Sequence, residues 1–213
     1  AFDSFKGIVT ITADKALRAI GKFGALTTAS VIDLRGATNL TSIVDDAFRY
    51  FKGSVHMGDN PALETIGTQA FYNADNSASV INLTNAVELT TVDVSAFRSF
   101  HGQVIMGDNP NLKTIGTYAF HEADLTASVI DLRGATSFES IGLYAFKNFY
   151  GRVIMTGQYP QLASIGNQAF YRAYHNNTVD IECVKQPFSK GSALFDEAKG
   201  TYSLDTIACM LLN

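Results

Sequence analysis

The chain has 213 residues, 46% of them hydrophobic, and a formal net charge of −4. That is enough apolar material for one or two domains, and no Lys/Arg run exists that could track a phosphate backbone, so nucleic acid is excluded as an expected partner. Charged residues make up 17%, against roughly 25% in ordinary soluble domains, so Ser, Thr, Asn and Gly must cover much of the surface, which suits a secreted or cell-surface protein.

The predicted elements are repeats. AFDSFKG at Ala1 returns as AFRYFKG at Ala47, which predicts a chain that opens inside a repeat, as an N-terminally truncated array. Gly7 to Ile20 forms a degenerate unit with Val9, Ile11, Leu17 and Ile20 at its apolar positions. A unit of a first type, ASVIDLRGATNLTSIVDDAFRYF, starts at Ala29, and one of a second type, GSVHMGDNPALETIGTQAF, at Gly53. The pair recurs from Ala78 and Gly102 and from Ala127 and Gly151, the last with one inserted residue. The Ala-Phe markers end on Phe48, Phe71, Phe97, Phe120, Phe146 and Phe170, spaced 23, 26, 23, 26 and 24 residues apart. A fixed period of this length marks a solenoid.

Each unit predicts one coil. Alternating apolar residues, such as Val55 and Met57, predict a short strand with two side chains inward. Such strands are expected around Thr10, Asp33, His56, Asn82, Ile105, Asp131, Ile154 and Asp180, as eight parallel members of one sheet. The three-residue spacing through Leu63 and Ile66 predicts a bend, and A-F-x-x-F predicts a helical turn with Phe48 and Phe51 on one side. Phe51, Phe100 and Phe149 alternate with Ala74, Ala123 and Ala173, so large and small residues are expected to interlock between coils. Phe97 and Phe120 are expected to be fully buried. One coil cannot bury enough apolar surface to offset its backbone entropy, so neighbours must complete it.

The pattern resembles leucine-rich repeats of the treponemal, or BspA-like, class, whose units carry an I-G-x-x-A-F signature. It stands here as Ile66-Gly67 with Ala70-Phe71, Ile115-Gly116 with Ala119-Phe120, Ile141-Gly142 with Ala145-Phe146, and Ile165-Gly166 with Ala169-Phe170. The family's Ile-Pro before the strand and its Cys after the aromatic are missing. The resemblance implies an α/β repeat fold: a right-handed solenoid with one parallel concave sheet and short helical or irregular turns on the convex side. About eight coils are expected over residues 1–184. Residues 185–213 read as a C-terminal cap or the start of a following segment. The two cysteines, Cys183 and Cys209, are either free thiols or one disulfide closing that cap. The resemblance further implies an extracellular or cell-surface protein.

No catalytic, metal or cofactor motif is present: the sequence lacks HExxH, GxSxG, a P-loop, GxGxxG and CxxC. The chain is therefore read as a non-enzyme without a cofactor. His56, His101, His121 and His175 fall at different coil positions and form no ladder. Met57, Met106 and Met155 read as a core ladder, and Asn60 and Asn109 as residues that bond neighbouring backbone. Asp33 and Asp131 would lie about 19 Å apart at ~4.8 Å per strand, too far for a glycosidase dyad.

The outward strand residues are the candidate site. Val80, Asn82, Ile105, Asp131, Arg133 and Ile154 mix apolar, acidic and basic groups on the concave face. Ile105 and Ile154 bracket Asp131 as apolar anchors around a charged centre. The expected function is a non-catalytic recognition or adhesion module binding a protein or glycan there. The alternative is a spacer or scaffold in a larger surface protein. No run of ~20 apolar residues predicts a membrane span.

Overall fold

The computed structural model describes residues 2–3, 7–11, 16–24, 29–124, 126–155, 159–173, 180–181 and 189–190. It is a parallel β-solenoid. Six successive coils, starting at residues 29, 53, 78, 102, 127 and 151, are described over most of their length.

The eight expected strands are present and form one continuous parallel sheet: Ile8–Thr10, Val31–Asp33, Ser54–Met57, Val80–Asn82, Gln103–Met106, Val129–Asp131, Arg152–Met155 and Asp180–Ile181. They are not the only sheet. The segment read as a bend is a two-residue strand in every coil, from Ala19–Ile20 through Ser42–Ile43, Thr65–Ile66, Thr91–Val92, Thr114–Ile115, Ser140–Ile141 and Ser164–Ile165 to Ser189–Lys190. These make a second eight-stranded parallel sheet. Two residues per strand leave no alternation to read, and from Ala19–Ile20 to Ser164–Ile165 only the Ile or Val turns inward.

The expected helical turn is also corrected: no helix occurs among the described residues. Asp46, Phe48 and Tyr50 donate their N–H groups to the carbonyls of Thr68, Ala70 and Tyr72 in the next coil, while Ala47, Arg49 and Phe51 close turns within their own coil. Asp46 and Tyr50 have φ of 58° and 56°, and the equivalent pair recurs in each later coil, as at Gln69 and Asn73. A left-handed residue every fourth position breaks a helix, whose residues all share one right-handed conformation. The cross-coil bonds satisfy the backbone groups that a helix would have paired internally.

Inside these ladders lies one continuous core. Phe48, Phe71, Phe97, Phe120, Phe146 and Phe170 are fully buried. Their rings stack coil to coil at 5.0 to 5.3 Å between centroids. Met57, Met106 and Met155 are buried as a core ladder. Val9, Ile11 and Leu17 pack against this core and Ile20 belongs to it, so the degenerate first unit is in register as read. Phe100 touches Phe97 of its own coil and Phe71 of the preceding one, whose corner residue is the small Ala74. The alternation of large and small corners is thus a packing device.

The first sheet slips in register. Val31 and Asp33 pair with Ser54 and His56, but His56 and Met57 then pair with Val80 and Ile81. The same two-residue shift recurs where Ile105 and Met106 pair with Val129 and Ile130. The slip absorbs the longer marker spacing of 26 residues, so the strands on either side of it, paired at His56–Val80 and Ile105–Val129, still meet 24 residues apart. It leaves the Val55 N–H off the ladder, and the buried Ser79 Oγ accepts it at 3.0 Å; Ser128 Oγ accepts the Val104 N–H at 2.9 Å. The cysteines, His175 and most of 185–213 lie outside the described residues.

Candidate functional site: the outward face of the first sheet

Inward positions of the first sheet are filled by the core, so its chemistry lies in the side chains between them. The register slip sorts these into oblique rows. One runs Thr10, Asp33, His56, Val80, Gln103. The next joins Asn82, Ile105, Val129 and Arg152. A third joins Asp131, Ile154 and Asp180. The six candidates therefore fall in different rows. Val80 is in the first, Asn82 and Ile105 share the second, Asp131 and Ile154 share the third, and Arg133 lies two residues further along its strand. Ile105 and Ile154 do not bracket Asp131 in a straight line, because Ile105 aligns with Val129.

Exposure separates them further. Val80, Asn82, Ile105 and Asp131 are half-buried and Arg133 is exposed, whereas Ile154 is only 7% exposed. Val80 and Ile105, with Val129, are thus the half-buried apolar residues that the face offers, and Ile154 is not. Glycines open notches in the same face. A Cβ at Gly58 would lie 3.8 Å from both Arg35 and Asn82, and one at Gly107 3.8 Å from Thr84 and Asp131.

Coils of the first type all carry a fixed polar pair here. Arg133 Nη2 donates to Asp131 Oδ2 at 2.6 Å and Nε to Oδ1 at 3.0 Å. Arg35 grips Asp33 the same way, at 2.6 and 2.9 Å. Between them, Asn82 Oδ1 accepts from the Thr84 hydroxyl at 2.8 Å and its N–H at 3.1 Å. The i, i+2 spacing on a strand puts both members on one face, so the pairs form without long-range help. The Arg35 hydrogen bonds hold the Asp33 carboxyl down to about 2, and those of Arg133 depress Asp131 as well. Both carboxylates are fixed anions, unsuited to proton transfer near neutrality.

Below the face, Asn60 Nδ2 donates to the carbonyls of Leu34 and Ala37, and Asn109 Nδ2 to those of Leu83 and Ala86. Both amides are buried and serve backbone, as their sequence position suggested. Tyr159 takes this place in the last described coil. Its ring meets Phe138 edge-on at 6.0 Å, and its buried hydroxyl finds no hydrogen-bond partner among the described residues. No group of three or more His, Cys, Asp or Glu among the described residues is placed to hold a metal ion. No helix among them is long and apolar enough to cross a membrane.

The geometry defines a parallel β-solenoid repeat protein with one varied polar–apolar face. The model of the BspA type leucine rich repeat region matches in six copies, over residues 1–101, 25–151 and 113–200. The chain belongs to that family. No curated protein and no solved structure matches it.

Sequence reasoning missed the aromatic–cation ladder on the turn run, where Arg49, Arg98 and Lys147 lie against tyrosine rings. The signal was available: the residue after each Ala-Phe marker alternates between a cation and an aromatic ring in all six coils.

Proposed function

We propose that this chain is a non-catalytic recognition module of a cell-surface or secreted protein. Its ligand is a protein, held on the outward, concave side of the first sheet. The leucine-rich-repeat family supports a protein-interaction role. The observation that carries the reading is the half-buried Asn82–Ile105–Val129 row with the locked Asp131–Arg133 pair beside it. An apolar residue next to pre-oriented charges, on a scaffold tied by two sheets, loses little freedom on binding. A spacer would leave such a row to chance. Val80 and Arg133 extend the contact on either side, and Ile154, largely covered in the outward row, flanks Asp131.

The test is a screen of this fragment against arrayed extracellular-matrix proteins and glycans, beside the variant Asn82→Ala, Ile105→Ser, Asp131→Ala. Loss of a hit in the variant, with an unchanged circular dichroism spectrum, is the expected result. A folded variant that keeps every hit refutes the concave-face reading.

A further inference from the structure

A different surface carries a regular charge pattern. The residue after each Ala-Phe marker sits on the turn run, and along the axis it reads Arg49, Tyr72, Arg98, His121, Lys147, Tyr171. Cations and rings alternate, because the repeat is two coils long. The Tyr72 ring lies between two guanidinium groups, 5.4 Å from Arg49 and 5.6 Å from Arg98. Arg98 is also 5.2 Å from the Tyr118 ring, and Lys147 is 4.7 Å from Tyr144 and 5.2 Å from Tyr171. Tyr118 and Tyr144 close the row at 5.0 Å.

These contacts fix the cations without neutralising them. Arg49 has a carboxylate beside it, Asp46 at 3.4 Å. Arg98 and Lys147 make no ion pair among the described residues, and the contacts that hold them are tyrosine rings. Arg98 and Lys147 stand two coils apart, about 10 Å at ~4.8 Å per strand spacing. Glu122, exposed in the coil between, is the local opposing charge; it lies 3.4 Å from His121 Nδ1.

The array is thus linear and sparsely charged: one cation every second coil, with phenol and imidazole groups between. Duplex DNA, with a charge every ~1.7 Å, is far too dense for it. An extended pyranose chain advances by close to one coil spacing per sugar, so an acid on every second sugar falls opposite each cation. We infer that this aromatic–cation ladder binds a linear acidic polysaccharide with one uronate carboxylate per disaccharide. The terminal guanidinium nitrogens of Arg98, whose Nε is buried, take one carboxylate and the Lys147 ammonium the next. The intervening sugar lies over Tyr118 and Tyr144, within reach of their hydroxyls. This surface is separate from the first-sheet face proposed above.

Hyaluronan oligosaccharides are the probe, because they carry one carboxylate per disaccharide and no sulfate. Titration at low salt is expected to show binding that strengthens sharply once the oligosaccharide spans two carboxylates. Arg98→Gln with Lys147→Gln should weaken it by about tenfold or more, and Glu122→Gln should strengthen it a few-fold by removing the opposing charge. Lys147→Arg keeps the charge and should keep the affinity, which guards against a double variant that simply fails to fold. Ile105→Ser with Asp131→Ala should leave hyaluronan binding unchanged, since it alters only the other face. The inference is overturned if the wild-type chain binds no hyaluronan, or if dextran or poly-glutamate binds equally well. Undiminished binding by a folded Arg98→Gln, Lys147→Gln variant overturns it too.

Discussion

Where coils of the first type turn their corner on Phe51, Phe100 and Phe149, those of the second type turn on Ala74, Ala123 and Ala173. Each large corner is followed by a glycine whose absent side chain makes room: a Cβ at Gly53 would lie 2.8 Å from the Phe51 ring, and Gly102 and Gly151 face Phe100 and Phe149 even more closely. The small corners Ala74 and Ala123 are followed by a longer loop, and Ser79 or Ser128 behind it patches the slipped ladder. The two types also differ beside the outward face. The first holds a locked polar pair there, and the second, in the coils of Asn60 and Asn109, a buried amide beneath a glycine notch. The difference teaches that the coil's shape is fixed by its stack of phenylalanines, while corners and faces are free to alternate around it.

If so, the stack should be indifferent to coil type. Phe97→Ala in a first-type coil and Phe120→Ala in a second-type coil should each cost about 3–5 kcal/mol. Equilibrium denaturation compares them; losses differing several-fold would break the equivalence. The corner should be less costly but asymmetric. Gly102→Ala forces a methyl into the Phe100 ring and the Ser79 side chain and should cost about 1–3 kcal/mol. Gly107→Ala, with its nearest neighbours at 3.8 Å, should be close to neutral. Equal losses at the two glycines would show that backbone freedom, not the Phe corner, explains Gly102.

Asn109→Ala leaves the buried carbonyls of Leu83 and Ala86 without their amide donor and should cost about 1–2 kcal/mol in urea unfolding. Coils of the first type should instead show an acid dependence. The folded Asp33 carboxyl lies at about 2, below its unfolded value near 3.9. Its contribution is therefore complete above pH ~4 and is lost as pH falls toward ~2. Asp33→Asn should flatten the dependence of Tm on pH in that window; an unchanged slope would mean the Arg35 pair adds nothing to folding.

Much of this was legible in the sequence because the inward positions repeat. Val55, Met57, Leu63, Ile66 and Phe71 had to be core once their equivalents recurred in every unit, and each is buried. Asn60 and Asn109 were read correctly because a buried amide beside a turn has backbone as its partner. The second sheet was not legible, since Thr65–Ile66 is too short to alternate. The helix was misread because Phe48 and Phe51 satisfy i, i+3 spacing equally well in stacked turns, and positive φ at Asp46 and Tyr50 follows from cross-coil bonds that no local pattern encodes. The candidate site was legible residue by residue but not as an arrangement. Aligning units by their markers puts Ile105, Asp131 and Ile154 in one row, and the two-residue slip, which depends on loop length and strand pairing together, separates Ile105 from the other two.

The coil that starts at Gly151 departs from the two other full coils of its type. Tyr159 stands where Asn60 and Asn109 stand in the other second-type coils, and one inserted residue precedes it. Its ring fills space against Phe138, itself larger than the Leu40 and Leu89 of the equivalent coils. The aromatic pair thus replaces a hydrogen-bonded amide with apolar contact. The hydroxyl gains nothing from this: it is buried, unpartnered among the described residues, and its ionisation is pushed upward by burial and by the nearby Asp131 charge. A buried polar atom without a partner costs its desolvation, whereas an apolar group of the same shape does not. Tyr159→Phe should therefore hold or raise stability, by up to about 1 kcal/mol. Tyr159→Asn, although it restores the residue of the other coils, should destabilise by leaving a cavity beside Phe138. Thermal unfolding of the two variants sets ring against amide. A stabilising Tyr159→Asn would show that the amide remains the better solution even here, and that the Phe138–Tyr159 contact contributes little.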